Sequence, residues 1–215
     1  AAGNGTVVRI GPTGEIIWRV DTNTPITGAV GSDGFVVAVG SPRGDVIALG
    51  ADGKELWRAQ VGAAIQSPPL VGRGLVIVRG SDYRVSAFEA TSGRRRWNYQ
   101  RTVPPLTLSA PSEMSFAGDF VAVGYPSGRL VMLAVANGTV RWDAPVAEPR
   151  GATEVERLVD VLGAPRVIGG EVCAAAYQGR IACFEVGNGN LRWAREFSAG
   201  AGVGADASRV YGVDV

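Results

Sequence analysis

All five tryptophans of this 215-residue chain stand four residues after a glycine. The pairs are Gly14 and Trp18, Gly53 and Trp57, Gly93 and Trp97, Gly138 and Trp142, and Gly189 and Trp193. Each pair closes a similar phrase: VVRIGPTGEIIW at 7–18, VIALGADGKELW at 46–57, VSAFEATSGRRRW at 85–97, LVMLAVANGTVRW at 130–142 and IACFEVGNGNLRW at 181–193. Successive tryptophans are 39, 40, 45 and 51 residues apart. A period near 40 built of short strands and turns predicts an all-β fold, a β-propeller with one four-stranded antiparallel blade per repeat.

One full period shows the four strands. After Trp18 the pattern predicts strands at Ile26–Val30, Phe35–Gly40, Asp45–Leu49 and Glu55–Val61. The turns between them carry Gly, Ser, Pro and Asp, which reach positive φ or set a turn corner at little cost. Strands two and three are near-continuous apolar runs, as expected where neighbouring blades cover both faces. The fourth, Glu55-Leu-Trp-Arg-Ala-Gln-Val, mixes charge with one large aromatic. That suits an outer edge where charge discourages pairing and the indole packs onto the next blade. The glycine is expected to close its turn in the left-handed region and so fix the position of the indole, a structural blade-docking mark rather than a binding site.

The repeats divide the chain at about 1–24, 25–64, 65–103, 104–148, 149–199 and 200–215. This is read as a single partial propeller with half-blades at both ends, about five blades' worth of chain. The start at Ala1, without an initiator Met or signal peptide, reads as processed or truncated. A ring of five blades with a strand-swapped seam and a piece of a larger propeller both fit this division. Two periods are lengthened, by Arg101–Glu113 and by Ala144–Pro165. Both additions precede the innermost strand of a blade and should emerge at the same end of the fold, where insertions in a rigid repeat line a binding face. Thr153–Val161 is expected to form one helical turn.

Composition closes several functional classes. A net charge of +1 gives no electrostatic case for nucleic acid. No apolar run approaches the roughly 18 residues of a membrane-spanning helix. The absence of histidine removes Ser-His-Asp and Cys-His nucleophile arrangements and most transition-metal sites. Gly187–Gly189 and Gly200–Gly204 lack the strand–helix context of phosphate loops and read as turns. Arg94–Arg96 reads as a solvated face. Glu154, Glu156 and Asp160 form the densest acidic cluster, with nothing to suggest acid–base chemistry. Cys173 and Cys183 sit on adjacent strands around Gln178-Gly179. A two-residue connection would place them on opposite faces, and a bulged or three-residue one would place them opposite each other. Two small buried hydrophobes are the preferred reading, with a disulfide as the alternative.

The two insertions carry a resemblance. Gly151–Val161 followed by Pro165, and then a strand ending Ala176-Tyr177-Gln178-Gly179, resembles the BamB family of outer-membrane β-barrel assembly lipoproteins. Leu106-Thr107-Leu108 followed by Ser109-Ala110-Pro111 looks like that family's Leu-x-Leu-Arg-Gly-x-Ser-Ala-Pro loop. The chain departs from the pattern at two points: Ser109 follows Leu108 directly, and Leu162 stands where a second acid is expected. The resemblance implies an eight-bladed periplasmic propeller, lipid-anchored at its N-terminus to the outer membrane, of which this chain is a portion. It also implies a non-enzymatic scaffold without cofactor that binds a periplasmic POTRA domain of BamA, and unfolded outer-membrane proteins as further clients. Carried across residue by residue, the partner-contacting positions are Leu106, Leu108 and Asp160. Trp-bearing repeats of this length also look like those of pyrroloquinoline-quinone dehydrogenases, which would require a vicinal cysteine pair and a calcium-binding acid set. A generic ligand-binding propeller is the remaining alternative.

Overall fold

The computed structural model describes residues 1–108 and 112–214. Among these no helix forms, and the chain is a succession of antiparallel sheets. It divides into two compact units, Ala1–Arg101 and Thr102–Val215. The first unit holds a two-stranded sheet, β1 (Thr6–Ile10) and β2 (Ile16–Asp21), followed by two four-stranded sheets. These are β3 (Gly31–Ser32), β4 (Val36–Gly40), β5 (Asp45–Gly50) and β6 (Glu55–Gln60), then β7 (Leu70–Gly72), β8 (Leu75–Arg79), β9 (Val85–Glu89) and β10 (Arg95–Tyr99). The second unit continues with β11 (Met114–Ala117), β12 (Phe120–Tyr125), β13 (Arg129–Ala134) and β14 (Val140–Pro145). The next sheet comprises β15 (Val161–Ile168), β16 (Glu171–Ala176), β17 (Gly179–Glu185) and β18 (Leu191–Phe197). A two-stranded sheet of β19 (Gly204–Ala205) and β20 (Val210–Tyr211) follows. Every four-stranded sheet is a simple meander in which neighbours in sequence are neighbours in space.

The apolar cores lie between successive sheets. Ala38, Val46, Ala48 and Trp57 meet Val71, Val76, Val78 and Phe88 in the first unit. In the second, Ala122, Leu130, Met132 and Trp142 meet Val161, Val172, Ala174 and Phe184. This explains the near-continuous apolar third strands: in β5, Val46 and Ala48 enter one core and Ile47 and Leu49 another, and in β17 Ala182 and Phe184 enter one core and Ile181 and Cys183 another. On the outer strand only one large side chain turns inward. In β6 Trp57 is buried while Glu55, Leu56 and Arg58 are exposed.

Three of the indoles share one kind of seat. The Nε1–H of Trp18 donates to the Ala51 carbonyl (2.9 Å), that of Trp57 to Ala90 (2.8 Å) and that of Trp142 to Val186 (2.7 Å). Each ring then lies flat over a glycine of the following repeat. A Cβ on Gly53, Gly93 or Gly189 would stand 2.9, 2.6 or 2.7 Å from Cδ2 of Trp18, Trp57 or Trp142 respectively. The same glycines have φ of +83°, +69° and +75°, and Gly14 and Gly138 have φ of +89° and +71°. Gly53, Gly93 and Gly189 therefore have two functions: each turns its own hairpin and clears the space for the tryptophan of the preceding sheet.

The structure corrects three local expectations. The innermost strand expected at Ile26–Val30 is instead the short β3, Gly31–Ser32. Upstream of it the backbone is held by isolated bonds, Thr27 N–H to the Gly40 carbonyl (3.1 Å) and Thr27 Oγ1 to the Ile65 carbonyl (2.7 Å). Gly28 and Gly31 abut the backbone of Ser67 and Pro69. Crowding of adjacent inner segments thus takes the place of a regular ladder. The helical turn expected over Thr153–Val161 is confined to two bonds, Arg157 N–H to the Thr153 carbonyl (3.3 Å) and Leu158 N–H to the Val155 carbonyl (3.2 Å), and Val161 already belongs to β15.

The preferred reading of Cys173 and Cys183 as two separate hydrophobes is also overturned, because they form a disulfide. The β16–β17 ladder pairs Ala175 with Ile181 and Cys173 with Cys183. Gln178 stands at the apex with φ of +46°. That register is one residue longer than a two-residue connection would give, so the two side chains fall on one face. Both are buried, in a core with Ala175, Ile181, Ala199 and Val203.

Candidate docking surface

The two lengthened connections both lie in the second unit, one entering β11 and the other entering β15. The 102–113 segment is tied down at its end by Glu113 N–H donating to the Gly163 carbonyl (3.2 Å). Leu106 projects, with 41% of its surface exposed, and Leu108 is half-buried. Ser109, Ala110 and Pro111 of the sequence pattern lie outside the described residues.

The 146–160 segment is built from both ends inward. Val146, Ala147, Val159 and Val161 are buried in the core between the sheets, which fixes where it leaves and rejoins the fold. Between them Thr153 and Glu156 form a reciprocal capping box. Thr153 Oγ1 accepts the Glu156 N–H (3.2 Å), while Glu156 Oε2 accepts the N–H groups of Thr153 (3.0 Å) and Ala152 (2.8 Å). The donated bonds, those of the Thr153 and Ala152 amides first, lower the Glu156 pKa below its usual value. The Thr-x-x-Glu spacing was present in the sequence as a cap signal. Arg157 completes the turn through the Gly151 and Ala152 carbonyls. Val155 is left 62% exposed.

Asp160 joins the two segments. Its Oδ2 accepts the backbone N–H of Leu108 at 2.7 Å, across 52 residues of sequence. Its Oδ1 lies 3.4 Å from the N–H of Ser127, in the connection between β12 and β13. Its own carbonyl accepts the Tyr177 N–H (3.0 Å) from the β16–β17 connection. Three neighbouring loops are thus gathered on one residue, which is only 6% exposed. Of the three positions singled out from the sequence, Leu106 is at the surface, Leu108 is partly covered, and Asp160 lies beneath them. Ser127 and Tyr177 carry no sequence signal for this role, since they take part through backbone amides. Leu162, where the second acid is expected, is buried in β15.

Two further clusters noted in the sequence are occupied among themselves. Glu171, Cys173 and Cys183 have metal-ligand proximity, but the sulfurs are bonded to each other and are not thiolates. The two cysteines are ten residues apart across a hairpin, not the vicinal pair a quinoprotein requires. In the basic run, Arg94 and Arg96 both pair with Glu89, at 2.6 and 2.9 Å, and Arg95 lies over the Phe88 ring.

A family model described as outer membrane protein assembly factor BamB matches residues 3–214. The outer membrane protein assembly factor BamB of Burkholderia pseudomallei is 45% identical over 216 residues, covering 100% of this chain and 57% of its own length. The crystal structure of BamB from Moraxella catarrhalis superposes with a TM-score of 0.88 at 27% identity, covering 98% of this chain and 64% of that one. The sheets are accordingly blades of a β-propeller. A quinohemoprotein alcohol dehydrogenase from Comamonas testosteroni superposes with a TM-score of 0.69 at 19% identity over 99% of this chain and 43% of its own. That likeness is one of fold alone. The chain spans about half the length of the curated relatives it matches.

Proposed function

Because the chain belongs to the family of outer membrane protein assembly factor BamB, we propose that it acts as a non-enzymatic scaffold in the assembly of outer-membrane β-barrel proteins. In this reading it works at the periplasmic face of the outer membrane, held there by an N-terminal lipid anchor. It docks to a periplasmic POTRA domain of BamA through the surface bearing Leu106, Leu108 and Asp160, and unfolded outer-membrane proteins are further clients. The observation that carries the reading is the Leu108–Asp160 hydrogen bond, which holds the two insertions of the repeat against each other. An exposed leucine on a braced loop is the kind of small apolar anchor that dominates a protein interface, and the polar groups around it set orientation.

Binding of the purified POTRA domains of BamA tests this. Wild-type protein is expected to bind with low-micromolar affinity. Leu106→Asp should weaken binding at least about tenfold, the loss of roughly 1.4 kcal/mol expected for an interface anchor. Its melting temperature should move by no more than a few degrees, because the side chain is at the surface. No measurable binding by the wild-type chain would overturn the assignment.

A further inference from the structure

We infer that Asp160 is a positioning residue: its carboxylate latches the leucine loop from beneath and does not itself meet the partner. This rests on the docking role proposed above and assigns a distinct part to one member of the same site. The carboxylate is buried, and its two oxygens face the Leu108 and Ser127 amides. A partner's cation could reach it only by displacing the loop that carries the apolar anchor. The group at the surface is Leu106, two residues before the latched amide. A charge-assisted bond to the backbone fixes where a segment runs whatever its side chains are. It acts here on a stretch that has no strand pairing of its own.

The latch is also joined to the rest of the fold. Asp160 is followed directly by β15, and its carbonyl accepts the Tyr177 amide at the end of β16. Val159 and Val161 on either side are buried in the core between the sheets. The residue that holds the leucine loop is therefore itself immobilised by strand pairing and packing. This is the arrangement expected of a support that pre-organises a contact, so that less ordering remains to be done on binding.

Two readouts on the full chain separate latch from contact. In Asp160→Asn the amide oxygen still accepts the Leu108 N–H but the charge is gone, whereas in Asp160→Ala the acceptor is lost. Positioning predicts that Asp160→Asn binds POTRA domains within about threefold of wild type and that Asp160→Ala loses at least about tenfold. It also predicts, with no partner present, faster exchange of the Leu108 amide hydrogen in Asp160→Ala by at least about tenfold, and little change in Asp160→Asn. If Asp160→Asn loses as much binding as Asp160→Ala while the Leu108 amide stays protected, the partner reads the charge and the inference is wrong. An unchanged Leu108 amide in Asp160→Ala would overturn it as well. Should Asp160→Ala fail to fold, binding by Asp160→Asn decides, since loss of affinity with Leu108 protected contradicts a latch. Failure of the wild-type chain to bind would sink the docking role, while the exchange measurement would still judge the latch.

Discussion

Gly93 and Gly14 occupy the same place in their repeats and both have positive φ, +69° and +89°. They differ in what surrounds them. A Cβ on Gly93 would stand 2.6 Å from the Trp57 ring, and one on Gly14 would meet nothing within 4 Å. Gly14→Ala should therefore cost only the left-handed backbone, about 1 kcal/mol. Gly93→Ala adds displacement of a buried indole and should cost about 2–4 kcal/mol in all. Denaturant melts of the two variants check the difference. The sequence showed that a glycine recurs before each tryptophan and that its turn needs positive φ. It did not show that the same atom-sized gap seats the indole of the repeat before. The ring and its glycine are 36 positions apart for Trp57 and Gly93, and local spacing carries no information on such a pair. Glu89 gives a second test at this scale. Hydrogen bonds from Arg94, Ser92 and Arg96 lower its pKa to about 2, and the Tyr211 hydroxyl and Ser208 amide do the same for Asp206. A carboxyl whose folded pKa is depressed adds stability above its ordinary pKa and loses it as pH falls toward the folded value. Stability should thus decline as pH drops from about 4.5 to about 2, and Glu89→Gln should flatten part of that slope in acid melts.

At the scale of the element, the second, third and fourth strands of the period read in full, β4 to β6, were legible because near-continuous burial and the single inward tryptophan leave distinct patterns. The inner strand was not. The ladder of β3 is only two residues long beside backbone crowding at Gly28 and Gly31, which depends on a neighbour about 40 residues away. The disulfide was undecidable for a related reason: one residue in the β16–β17 connection determines whether the two sulfurs share a face. It closes a loop of sequence separation 10, for which chain entropy gives about 2–3 kcal/mol. Replacing both cysteines with alanine should lower stability by about that amount, less what the packed hairpin recovers. Unfolding with and without reductant measures it.

At the scale of the whole molecule, the repeat period was enough to give the propeller, and the two lengthened periods marked the two segments that Asp160 brings together. That Asp160 would lie inside rather than on the surface was not visible. Burial of a loop carboxylate is decided by the Leu108 and Ser127 amides, which come from other parts of the chain. If the proposed docking holds, substitutions that loosen the Asp160 brace should weaken binding as loss of Leu106 does. The seating of three indoles on the following repeat has an optical consequence. Trp18 is enclosed by residues 51–53, Trp57 by 90–93 and Trp142 by 186–189. The fluorescence colour of any of these three tryptophans therefore gauges the integrity of the sheet downstream of it, not of the sheet to which it belongs.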